Sequence, residues 1–159
     1  MSPQKIFQFE KNIDTGVIAG LTALGATPVF AARDDEASLP SDRIVVDSSP
    51  FTRASEQQDF CKAGVPFYNH FSGKTSIIIT TKRNPASAAQ HDAWIGLVRR
   101  FFSAPQADVR ILPYDILSIK DSGGSVTFLK DGERDRSELN YEIELGIPGP
   151  LMDYADSSA

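Results

Sequence analysis

Glu138-Leu139-Asn140-Tyr141-Glu142-Ile143-Glu144-Leu145-Gly146-Ile147 decides how the chain is read. Leu139, Tyr141, Ile143, Leu145 and Ile147 alternate with polar residues or glycine. A period of two puts one set on each face of a β-strand, so one face meets a core and the other is polar and acidic. A strand of this kind needs partner strands and something apolar to lie on. Pro148-Gly149-Pro150 ends it, because proline cannot donate to a ladder, and residues 151–159 are expected to form a flexible tail.

Upstream, Asp131-Gly132 marks a charged turn within Lys130-Asp131-Gly132-Glu133-Arg134-Asp135-Arg136. Val126–Leu129 reads as a strand, Ser122-Gly123-Gly124 as a turn and Val109–Ile119 as another strand. Before them, Trp94, Leu97, Val98, Phe101 and Phe102 stand three or four residues apart, the spacing of a helical stripe broad enough to cover a sheet. Asn84-Pro85 breaks the preceding strand, Ser87 and Gln90 match a capping box, and Pro105 lies beyond the helix end. Ser76-Ile77-Ile78-Ile79-Thr80-Thr81 is continuously β-branched or small, as expected of a strand in the middle of a sheet.

The first half is less regular. Ile6, Phe9, Ile13, Val17, Leu21 and Leu24 form a second helical stripe, with Gly25 as its stop. Gly16 and Gly20 each weaken that helix by about 1 kcal/mol relative to alanine, so it must be held by docking. Val29–Ala32 and Ile44–Val46 are short strands flanking an acidic polar loop. Residues 48–66 have no period and read as a long excursion, a lid in an enzyme or a contact arm in an assembly protein. The fold class expected is α+β: one mixed, mainly antiparallel sheet packed by an N-terminal helix and a central aromatic-rich helix, as one domain over residues 1–150.

Composition narrows the chemistry. With 159 residues, 41% of them hydrophobic, the chain can enclose a core. A net charge of −5 gives no broad attraction to phosphate backbones or anionic membranes. Cys61 is the sole cysteine, so no internal disulfide or thiolate zinc site is possible, and a reducing compartment fits. No apolar run approaches the length of a membrane span, and the N-terminus lacks a signal-peptide core. His70 and His91 are the two histidines, too few for a metal centre without cysteine or spaced carboxylates. Gly73-Lys74-Thr75 lacks the opening glycine of a phosphate loop and precedes a strand instead of a helix. No catalytic, cofactor or metal residue is therefore assigned. A small enzyme using Cys61 or the His91-Asp92 pair, and a module that binds peptides by strand addition, stand as alternatives.

The order of elements, with Thr75–Lys82, His91–Phe102, Ile111-Leu112-Pro113-Tyr114-Asp115-Ile116-Leu117 and Asp135–Ile143, resembles the tail terminator and tail-completion proteins of long-tailed bacteriophages. The resemblance spans residues 6–148 and is carried by soft motifs. It implies a non-catalytic virion protein, assembled in the host cytoplasm, that forms a hexameric ring on the tail tube. That ring would stop tube growth and meet the head-completion proteins of the neck, with DNA passing through its lumen unbound. A head-closure or adaptor protein on the portal side is the alternative within the same biology. Glu138, Glu142 and Glu144 would then contribute to the lumen or to a subunit seam, while Arg134 and Arg136 belong to a charged edge able to set register between subunits.

Overall fold

A computed structural model of the chain describes residues 7–32, 39–53, 68–103, 114–129 and 133–148. The elements are α1 (Phe9–Ala23), β1 (Val29–Ala31), β2 (Arg43–Ser48), β3 (Thr52–Arg53), β4 (Tyr68–Lys82), α2 (Pro85–Ser103), β5 (Asp115–Leu129) and β6 (Arg134–Pro148). They form one sheet in the order β1-β2-β4-β6-β5, with β3 also paired to β4. Only β1 and β2 run parallel; every other pairing is antiparallel. The α+β class and the mixed, mainly antiparallel sheet are as the sequence led us to expect.

Both helices lie on one face of the sheet. Ile77 and Ile79 of β4 stand on it, level in register with Val46 and Ile44 of β2 and with Leu139 and Ser137 of β6. The alternating residues Leu139, Tyr141, Ile143, Leu145 and Ile147 are all buried there. Each fully buried aliphatic side chain contributes roughly 1.5–3 kcal/mol, so β6 supplies much of the core. Phe102 of α2 stacks on Tyr141 at 4.1 Å between ring centroids, and Phe9 of α1 packs on Phe71 at 4.5 Å.

The ends of α1 show why it stops where it does. Gly25 takes a φ of 92°, open to glycine at little cost. The amides of Gly25 and Ala26 then donate to the carbonyls of Thr22 and Leu21, which satisfies two carbonyls the helix leaves free. Gly20 has a packing role that its helix propensity does not reveal: a Cβ there would lie 2.1 Å from the Phe101 ring.

Four sequence readings are corrected. Ser122-Gly123-Gly124 is no turn; β5 runs on through it, with one extra residue between the Asp121–Tyr141 and Gly124–Leu139 pairs. Gly123 has a φ of 91°, and a Cβ on Gly124 would sit 2.1 Å from the Glu138 carbonyl oxygen, so the glycine pair makes a bulge in place of a reversal. The α2 cap is Asn84, not a Ser87–Gln90 box: Asn84 Oδ1 accepts from the Ser87 amide, and Pro85 takes the first helical position. Ser87 instead donates its hydroxyl to Asp42. The excursion read over 48–66 is shortened, because Ser48 ends β2 and Thr52–Arg53 pairs with β4. Its remainder, the strand start at Val109–Pro113, the Asp131-Gly132 turn and the 151–159 tail lie outside the described residues. Finally, β4 is far longer than the Ile-rich segment, reaching back to Tyr68 in unbroken register with β6.

Candidate assembly interface

The face of the sheet opposite the helices carries the charged residues singled out from sequence. Arg134, Arg136, Glu138, Glu142 and Glu144 occupy alternate positions of β6 and project from that face together. Their surroundings differ from what β6 alone suggests. Glu142 lies in register between Lys74 of β4 and Lys120 of β5. Glu144 lies between Ser72 and Ser118, with His70 Nδ1 3.7 Å from its carboxylate. Glu138 reaches Arg136 at 3.8 Å.

Among the described side chains of this face Arg43, Lys74, Lys82, Lys120, Arg134 and Arg136 accompany Asp47, Glu138, Glu142 and Glu144. The strip is therefore mixed where a single strand had read as acidic. Cross-strand charge pairs of this kind contribute roughly 0.2–1 kcal/mol each and favour one register. A shallow cleft on this face is bordered by Ser72, Lys74, Ser118, Lys120, Glu142 and Glu144. A surface of interleaved charges suits contact with another charged surface.

His91 is placed in the core. Its Nδ1 lies 2.8 Å from Thr81 Oγ1 and its Nε2 2.7 Å from Ser137 Oγ, so both ring nitrogens are engaged by hydroxyls. Burial holds its pKa below the usual histidine value, against the raising influence of Asp135, Asp92 and Asp42. Asp92 is exposed while His91 is buried, so the adjacent pair does not converge on one site. Cys61 lies outside the described residues. Among the described residues no group of three or more His, Cys, Asp or Glu is placed to hold a metal ion, and no helix is long and apolar enough to cross a membrane.

A second polar network fastens α1 to the sheet. Ser48 donates to Asp14 at 2.6 Å and lies 2.9 Å from Thr75 Oγ1, while Glu10 accepts from the Phe51 amide at 3.0 Å. Nearby, Asn12 Nδ2 donates to the buried Tyr114 hydroxyl at 2.8 Å, and burial pushes that phenol up to about 12. Tyr141 is likewise pushed up to about 12, by burial first and by Asp121 second. Glu10, Asn12 and Asp14 thus tie α1 to β2, to Phe51 and to Tyr114 immediately before β5.

Sequence reading did not find the edge of the sheet. Among the described residues β5 ends the strand order, pairs with β6 alone, and carries three of the four exposed large hydrophobic residues: Leu117, Val126 and Phe128. Val126 is 80% exposed. Arg83 places its guanidinium 4.2 Å from the Phe128 ring centre. The signal was present as the absence of charge between Ser122 and Leu129, which a search for motifs passes over.

The fold has a counterpart among solved structures. It is similar to a chain in a structure described as "Virion of native gene transfer agent (GTA) particle", with a TM-score of 0.50, 16% identity, and coverage of 81% of this chain and 86% of that one. At that identity the likeness is one of fold. No protein-family model matches the chain. No curated protein matches it either.

Proposed function

We propose that the chain is a structural protein of a phage-like virion, which closes into a ring, six-fold in our reading, at the head-proximal end of a tail tube. The observation that carries this is the shared fold with a chain of a gene transfer agent virion. The geometry supports it: several polar side chains tie elements together, others form a mixed-charge surface, and no described strand covers the outer edge of β5. The ring meets the tube protein on one side and the head-completion proteins on the other, without catalysis or cofactor. DNA passes its lumen without being held, since a strip of interleaved charges offers no continuous cationic track.

Loss of the chain from a particle-producing host tests this reading. A terminator stops tube growth, so its absence is expected to give tails of uncontrolled length and heads without tails in electron micrographs. Tails of normal length, unattached to heads, would instead assign the chain to head closure. Normal particles would remove it from the virion altogether.

A further inference from the structure

The ring-forming reading leaves open where neighbouring copies meet, and two surfaces with uncharged stretches among the described residues, one towards each end of the sheet, answer that. The first is the outer edge of β5, which no described strand covers. Ser122-Gly123-Gly124-Ser125-Val126-Thr127-Phe128-Leu129 contains no charge and no proline, the residues by which exposed edges are normally kept from pairing. The second is the end covered by α1, which packs on β1 and β2 and leaves Thr15, Ala19, Thr22 and Ala23 exposed. From Thr15 to Ala32 the sequence has no charged residue.

We propose that copies of this chain associate head to tail, the β5 edge of one lying against the α1 end of the next. Each copy carries a net charge of −5, so copies repel through most of their surface. Contact costs least where charge is absent on both sides, and a basic partner would seek acidic surface in preference to these two. Because the two surfaces differ, the contact is heterologous, and repeated rotation by the same angle closes a ring. The groove beside the edge, lined by Ile95, Arg99, Asp121, Val126 and Leu139, gives the neighbour an apolar seat with a charged rim. This seam rests on the ring-forming reading only for the closure of the assembly, not for the contact itself.

Sedimentation velocity on the full chain tests the proposal, with Val126→Glu blocking one surface and Ala19→Glu the other. Both positions are exposed, and thermal melting verifies that each variant folds. The wild type is expected to associate as concentration rises, and each variant alone to associate at least about tenfold more weakly, because a carboxylate buried against an anionic neighbour is unpaired. An equimolar mixture of the two should recover a dimer and no ring, since each variant keeps the surface the other lacks. Three results would overturn the seam: a wild type still monomeric at about 1 mM, a Val126→Glu chain that associates like wild type, or Ala19→Glu associating normally with no mixed dimer, which would mark β5–β5 pairing. Failure of the tail reading is separate. A chain missing from particles that still forms the mixed dimer keeps the seam, whereas normal particles built from Val126→Glu chains discard it and keep the tail reading.

Discussion

Gly20 shows how packing reverses an intrinsic preference. In an isolated helix, alanine at this position would add about 1 kcal/mol. Here the added methyl meets the Phe101 ring where α1 crosses α2, and overpacking of this kind costs about 1–3 kcal/mol. Gly20→Ala is therefore expected to lower the midpoint of urea unfolding; a raised midpoint would show that the two helices adjust freely. His91 makes a prediction in pH. Burial depresses its folded pKa below the unfolded value of 6.5, so the unfolded chain takes up the proton more readily. The stability it confers is complete above pH 6.5 and is lost as pH falls through the lowered folded value. Melting temperature should therefore drop on acidification below pH 6.5, and a His91→Gln variant should show a shallower drop. Equal slopes in the two proteins would place the titration elsewhere.

At the scale of elements, legibility followed periodicity. β6 and both helical stripes were readable because apolar residues recur at the period of the structure they form, and burial of Leu139 through Ile147 repeats the alternation residue for residue. β5 was misread because Gly123-Gly124 has the composition of a turn; whether a glycine pair reverses the chain or bulges a strand is decided by the partner strand, which lies in another part of the sequence. The same limit affected the charges. β6 alone reads as acidic, and only the register brings Lys74 and Lys120 beside Glu142. Reversing Glu142 and Glu144 to lysine would leave this face predominantly cationic among the described side chains. Like charges opposite one another cost roughly 0.2–1 kcal/mol per pair, so the variant should still fold. Its particles are expected to be reduced in number, counted in micrographs, or to retain DNA, read as infectious or transducing titre per particle; unchanged particle number and titre would remove these two residues from the lumen and from any subunit contact.

At the scale of the whole molecule, the helices occupy one face and the end of the sheet over β1 and β2, and no described element covers the opposite face or the outer edge of β5. A protein that acts alone gains nothing from a long uncharged edge, whereas one that assembles needs two distinct surfaces and a rigid sheet between them. None of this was legible from any single segment, since an edge is a property of strand order and strand order is set by long-range pairing. Electron cryomicroscopy of purified particles tests the central claim most directly. The account predicts one sixfold ring at the head-proximal end of the tail tube into which this fold fits, with the β5 edge turned toward the next copy. A complete reconstruction of that junction in which no density accepts the fold would contradict it.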